Sequence, residues 1–429
     1  MAVTGGSVTG GSKYRRQCSF QKSSRRSLRR LLAVIVVVVP CVTLALTPAA
    51  QAQGSAPAPV PIPVPVQSGG SVVPGVPGLS AQIVTHPSDE ATGVAPLAPV
   101  RVSVKNGVLD TVSLVGRDGK SVPGQLSSDK TSWSATAPLG YAQVYTWSGS
   151  ATGIDRQARA ITGSFETVTP ERLISGRLNV GDHATYGIAM PIALTFSSRV
   201  IDKVAVQKAL SVHTSVPTEG SWAWLSDTTV HWRPKTYFAP NTQVNVIAKL
   251  YGIAMGGGAY GREDITSAFT IGRSYVLHGD TRTHRIIAFV NGVQVADYPA
   301  SYGLDSDPGR MTHSGTHVVM SKYPVYYMSN PKYHYKNVKA KWAVRISNNG
   351  EFVHSAPWSV PQQGKTNVSH GCVNLSPANA AAVFNAVLPG DPVEIVGTPR
   401  QLGPADGDYY DWTIPWSEWM SRSALAPSA

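Results

Sequence analysis

From Val100 the chain alternates apolar and polar positions, with Val100, Val102 and Val104 set against Arg101 and Ser103. A period of two sends successive side chains to opposite faces, so the stretch predicts a strand with one buried face. The next run, Val108-Leu109-Asp110-Thr111-Val112, continues the pattern. A second copy follows as Pro191-Ile192-Ala193-Leu194-Thr195-Phe196 and Val200-Ile201-Asp202-Lys203-Val204. Likewise Trp133, ahead of Pro138 and Tyr145, has a counterpart in Trp232, ahead of Pro234, Pro240 and Val244. Offsets of 92 and 99 residues suit two repeated β-sandwich domains of about 100 residues each. They are placed at 81–169 and 170–272. No Cys…Trp…Cys spacing exists, so Ig-like describes their architecture alone, and neither copy gathers catalytic residue types.

Beyond Ser274 the pattern changes. The stretch from Arg285 to Val290, then Asn291-Gly292, then Val293-Gln294-Val295, reads as two strands joined by a type I′ turn. More strands are expected through Val396, with one helix from about Pro377 to Val387 for which Ser376 supplies the N-cap. This third, β-rich domain is placed at 273–398. The tail 399–429 carries Trp412, Trp416 and Trp419, whose spacing after Pro415 would set three indoles on one helical face for packing against the rest of the protein.

Composition changes the reading of the N-terminus. The first 52 residues hold eight basic residues and no acid, then an apolar run from Leu31 to Leu46 and Ala50-Gln51-Ala52, the pattern of a secretory signal peptide. The run has 16 residues interrupted by Pro40, whereas a spanning helix needs about 20; an uncleaved anchor is the alternative. Residues 53–80 follow as a Pro-rich linker of polyproline II type, with Pro57, Pro59, Pro61, Pro63 and Pro65 alternating with small apolar residues. The formal charge of +12 is concentrated at the N-terminus. Without that segment 29 Lys and Arg stand against 25 Asp and Glu, a balance of +4 that leaves no nucleic-acid footprint. Cys18 and Cys41 leave with it, and Cys372 becomes the lone thiol of a chain bound for an oxidising compartment.

The chemistry converges on residues 351 to 376. A cysteine is nucleophilic as thiolate, and two imidazoles, His354 and His370, lie within 18 residues of Cys372. Gly371 leaves the approach to the nucleophile without a side chain, and the Gly371 and Cys372 N–H groups are candidates for an oxyanion hole. If the segment is extended, His370 and Cys372 share a face. An inert buried cysteine and a zinc site built from His354, His370 and Cys372 are the competing readings; no further Cys, His or carboxylate stands at ligand spacing for the second. His313 and His317 would meet only on a helix, which Gly315 between them argues against.

His354, fifteen residues, then His370-Gly371-Cys372-Val373-Asn374 resembles the catalytic signature of the L,D-transpeptidase (YkuD) family. The text around it, His354-Ser355-Ala356-Pro357-Trp358 and Ser369-His370-Gly371-Cys372, is similar to the actinobacterial type, which carries two N-terminal Ig-like domains and a Trp-rich tail. The resemblance implies a mainly β protein that makes 3→3 cross-links in peptidoglycan. Cys372 would attack the carbonyl between meso-diaminopimelate and the terminal D-Ala of a tetrapeptide stem, and an acceptor stem's amine would resolve the thioester. It further implies that His354 is the base, oriented by the Ser355 carbonyl, with His370 lining the site. Tyr335 matches a lid tyrosine, although one extra residue separates it from Trp342; Met320, Trp358, Ser369 and Asn374 match the substrate cleft. Thr312-His313-Ser314-Gly315 departs from the Thr-Pro often found in the family before the glycine leading into the cleft.

By the same resemblance the partners are the donor and acceptor stem peptides, with carbapenem-type β-lactams as covalent inhibitors. No metal and no cofactor are expected, and membrane contact only through an uncleaved N-terminus. The protein would act outside the cytoplasmic membrane, in the periplasm or cell wall. Three readings compete: an L,D-carboxypeptidase using the same thioester, a catalytically idle wall-binding scaffold, and a sortase-like enzyme. The last is disfavoured because the first arginine after Cys372 is Arg400.

Overall fold

The computed structural model describes residues 80–426 apart from 408. The expected signal segment, and the linker up to residue 79, lie outside the described residues. Among the described residues no helix is long and apolar enough to cross a membrane.

Two sheets built from strands between Gln82 and Thr167 face one another. The alternating positions Val102, Val104, Leu109 and Leu114 meet Trp133, Trp147 and Phe165 in one core. A second sandwich spans Arg172–Ile174 to Ile265–Ile271. There Ile192, Leu194 and Phe196 of one sheet pack on Val244, Val246 and Phe269 of the other. Tyrosines join the two units: the Tyr141 hydroxyl donates to the Gly261 carbonyl and the Tyr251 hydroxyl to that of Leu139, at 2.6 and 2.7 Å.

The third unit consists of a five-stranded and a four-stranded sheet. Their shared core takes Leu277, Ile286, Val393 and Ile395 from the first and Val344, Val353, Val373 and Leu375 from the second. Asn291 and Gly292 both have positive φ, 50° and 82°, and join Arg285–Val290 to Val293–Pro299, the type I′ geometry that an Asn-Gly pair favours. The helix Pro377–Ala386 starts at Ser376, whose hydroxyl accepts the Asn379 N–H, and it buries Ala380 and Val383.

The tail does not put its three indoles on one helix. Trp412 lies in a 3₁₀ turn, Asp411–Thr413, and only Trp416 and Trp419 belong to the helix Trp416–Ser421. The rings converge because all three lie against one buried guanidinium, Arg233 of the second sandwich, at 4.8 to 5.2 Å. Beside them the His231 ring and Asp411 carboxylate form a buried pair at 2.8 Å. The tail therefore straps the second sandwich, while it meets the third unit at Ser314, whose carbonyl accepts the Leu402 N–H and whose N–H donates to the Arg400 carbonyl.

Candidate active site

Two short strands of the four-stranded sheet bring the sequence motif together. Phe352–Ser355 and Val373–Leu375 pair in parallel, with His354 opposite Asn374. Parallel neighbours require a crossover, and the residues between them supply it, beginning with the 3₁₀ turn Pro357–Ser359. Cys372 thus enters its strand next to the one that carries His354. Both line an open cavity of about 310 Å³, together with Met328, Tyr335, Val338, Trp358, Val368, Ser369, His370 and Asn374.

The cavity floor is held by hydrogen bonds to carbonyls, which fix proton positions because a carbonyl only accepts. His354 is 3% exposed, and its Nδ1 lies 2.9 Å from the Ser355 carbonyl, so Nδ1 carries the proton and Nε2 the lone pair. Burial holds this imidazole below its usual pKa, although the Ser355 hydrogen bond opposes that shift. The Cys372 thiol donates to the Gly350 carbonyl at 3.6 Å. Burial, assisted by the neighbouring Glu351 charge, pushes it up to about 12. The resting floor is a neutral thiol and a neutral imidazole.

The loop before the nucleophile is not extended. Gly371 has a φ of 112°, a conformation that L side chains rarely adopt, so His370 is turned out to the exposed rim while Cys372 is buried. A Cβ on Gly371 would meet nothing nearer than 3.5 Å. Its requirement is therefore backbone conformation, not space. The Gly371 N–H is already given to the Ser369 hydroxyl at 3.2 Å, and that hydroxyl donates to the Cys372 carbonyl at 2.6 Å. Of the two proposed oxyanion donors, the Cys372 N–H is the one left available among the described residues. Asn374 points its amide at the Ser359 hydroxyl, 3.1 Å away, and so braces the crossover.

The rim is formed by rings. His370 lies 4.9 Å from the Tyr333 ring and 5.3 Å from that of Tyr335. Burial, with Arg310 nearby, keeps it below the usual imidazole pKa. Trp358 is 55% exposed and 6.1 Å from the His354 ring. Tyr335 opens the strand Tyr335–Arg345 at the tip of a long hairpin. Between it and the core of that strand, Asn337 and Trp342 take positive φ and the register slips, which is how the extra residue is absorbed as a bulge.

Met320 is not in this cavity. It directly precedes the strand Ser321–Asn330, its N–H bonded to the Arg345 carbonyl, and lies beside Ile346, Tyr409 and Tyr410. Met328, eight residues on and paired with Val338 across the hairpin, is the methionine that lines the cleft.

Sequence reasoning also missed a buried polar cluster behind the floor. Glu351 accepts from the His313 backbone N–H and pairs with His313 Nδ1, at 2.9 and 2.8 Å. His317 lies 3.8 Å from the same carboxylate and bonds to the His313 carbonyl. The two histidines meet without a helix because Gly315, φ 130°, bends the segment between them. Arg400 and Asp406 of the tail reach the far side of His313, at 2.7 and 3.2 Å. Arg310 holds the Val368 and Ser369 carbonyls, and the Thr312 hydroxyl that of Gly371. Arg310 and the run Thr312-His313-Ser314 were the available signal. Among the described residues no three His, Cys, Asp or Glu side chains gather in a metal-binding arrangement.

A thiol, an imidazole with a free Nε2 and an unused backbone N–H around one cleft are the groups that acyl transfer requires. The comparisons place that site in a family. The model of the L,D-transpeptidase catalytic domain (YkuD) matches residues 247–395, and that of a bacterial Ig domain residues 91–254. L,D-transpeptidase 5 of Mycobacterium tuberculosis strain ATCC 25618 / H37Rv is 45% identical over 352 residues, 81% of this chain and 78% of that protein. L,D-transpeptidase 2 of M. tuberculosis strain CDC 1551 / Oshkosh is 38% identical over 359 residues, 82% and 86% of the two. A solved L,D-transpeptidase in complex with imipenem is 34% identical, covering 51% of this chain and 97% of its own, with a TM-score of 0.44. The chain belongs to the L,D-transpeptidase family.

Proposed function

We propose that this protein cross-links peptidoglycan outside the cytoplasmic membrane through a Cys372 thioester. The observation that carries the mechanism is the protonation pattern of the floor: a thiol bound to the Gly350 carbonyl and an imidazole whose Nδ1–H is committed to Ser355. When the donor stem fills the cleft, the thiol exchanges Gly350 for His354 Nε2. Nε2 takes the proton as Sγ attacks the carbonyl, and the Cys372 N–H stabilises the oxyanion. Collapse forms the thioester and breaks the amide, with the His354 proton leaving on the D-Ala amine. An acceptor amine then attacks the thioester, gives its proton to Nε2 and restores the thiol. Tyr335 and Trp358 cover the cleft and keep water from the acyl carbon.

The test is intact mass after mixing with a carbapenem, together with product analysis on a disaccharide-tetrapeptide. One adduct per chain, lost in Cys372→Ala, is expected, along with a dimer lighter than two substrates by one D-Ala. An adduct retained in Cys372→Ala overturns the nucleophile. Tripeptide as the dominant product at high acceptor concentration overturns transfer in favour of hydrolysis.

A further inference from the structure

The long hairpin that lines the cleft with Met328, Tyr335 and Val338 has a second face. Residues 321–345 contain six Lys and Arg and no acid, whereas the rest of the chain after residue 52 has 23 basic against 25 acidic residues. The whole positive excess of that part of the protein is therefore carried by one ribbon. Pairing sets Lys339 opposite Tyr327 and Lys341 opposite Val325, and all four are exposed, while the alternate Ala340 is buried. The outward face thus repeats cation and apolar group along two neighbouring strands.

Three of the six cations are used internally. Lys322 is anchored to the Phe384 and Val387 carbonyls, Arg345 to Tyr326 and Ser347, and Lys332 lies over the Tyr333 ring. Lys336, Lys339 and Lys341 enter none of the ion pairs of the described residues, and the bulge at Asn337 keeps Lys336 exposed beside them. Alternate residues on a strand lie roughly 7 Å apart, so the lysines form a narrow row and not a broad plane. A row matches a linear polymer with regularly repeated charges; a membrane surface would be better met by a wide amphipathic face.

We propose that the outer face of this hairpin docks a linear phosphodiester polyanion and so holds the cleft against an anionic wall matrix. Phosphates along the polymer meet Lys336, Lys339 and Lys341, and Tyr327 and Val325 rest against its carbon backbone. The proposal is independent of the transpeptidase reading, since none of these side chains lines the cleft.

The experiment measures binding of the whole protein to poly(glycerol phosphate), to phosphatidylglycerol vesicles and to no ligand as salt is varied. A triple variant, Lys336→Glu with Lys339→Glu and Lys341→Glu, is compared with Lys105→Glu, Lys130→Glu and Lys249→Glu, which carries the same net charge. The native protein is expected to bind the polymer with a log–log salt slope of roughly −2 for three phosphate contacts. The hairpin variant should lose tenfold or more and the control variant little. Carbapenem acylation should be unchanged in both, which certifies their folding and keeps this test separate from that of the catalytic reading. Equal loss in the two variants, binding to vesicles but not polymer, or no polymer binding by the native protein at low salt each overturns it.

Discussion

The floor and the rim of the cleft use the same residue types under opposite constraints. On the floor, His354 and Cys372 are buried, and each is fixed by a hydrogen bond to a main-chain carbonyl. On the rim, His370 and Tyr335 meet through a ring contact at 5.3 Å, and Trp358 meets the floor through the His354 ring at 6.1 Å. Hydrogen bonds to rigid backbone define an angle and a proton; ring contacts define only a surface. In the proposed mechanism, bond-making thus belongs to the floor and substrate recognition to the rim.

The largest effect that would test this division is expected from Cys372→Ala. It should abolish both adduct and dimer while circular dichroism stays native, because one sulfur is removed from a small apolar cluster with Ala343 and Phe352. Any residual adduct would move the nucleophile elsewhere. Next comes His354→Gln, for which the acylation rate should fall roughly 10²–10⁴-fold, the usual worth of a general base, with little change in substrate affinity. A loss appearing mainly in affinity would place His354 with the rim.

Third is His370→Ala. Since this ring is exposed and hydrogen-bonded to no fixed acceptor among the described residues, its removal should cost tenfold or less in acylation and act mostly on apparent affinity, as should Tyr335→Phe. Single-turnover kinetics with varied carbapenem separates the two parameters. If His370→Ala proves more damaging to rate than His354→Gln, the two imidazoles exchange roles.

How much of this could be read from the chain follows the same division. Alternation at Val100–Val104 and at Ile192–Phe196 reports burial on one face, a local property, and both strands form as expected. The spacing from His354 to Cys372 was legible because one parallel crossover connects them. The shared face of His370 and Cys372 was not: it presumed an extended backbone, and Gly371 turns it. Met320 and Met328 are both methionines on the approach to one hairpin, and only the pairing register decides which reaches the cleft. The contacts of Glu351 with His313 and of Asn349 with Asp406 span 38 and 57 residues, and no local period encodes them. The same holds for the Trp-rich tail, whose rings are ordered by Arg233 and not by helical spacing.

The smallest expected effect concerns pH and stability. Burial lowers the His354 pKa below 6.5 in the fold, so below that pH the unfolded chain binds the extra proton first. Stability contributed by the neutral ring is then present above 6.5 and is lost as pH falls from there through the lower folded value. For Cys372 the folded pKa is raised from 9.0 to about 12. The unfolded thiol ionises first, so its contribution is present below 9 and is lost as pH rises between 9 and 12. Buried tyrosines with raised pKa values, Tyr275 among them, bend the alkaline arm in the same direction. The test must therefore use differences between variants. Melting temperatures measured from acid to alkaline pH should show a shallower acid arm in His354→Gln and a shallower alkaline arm in Cys372→Ala, each by a few degrees at most for a protein of this size. Tyr335→Phe, on the half-exposed rim, should change the alkaline arm less than Cys372→Ala. An alkaline arm unaltered by removing the thiol would mean that Cys372 ionises near its ordinary pKa in the folded protein. The floor would then hold a ready thiolate at mildly alkaline pH, visible by its ultraviolet absorbance before any substrate is added.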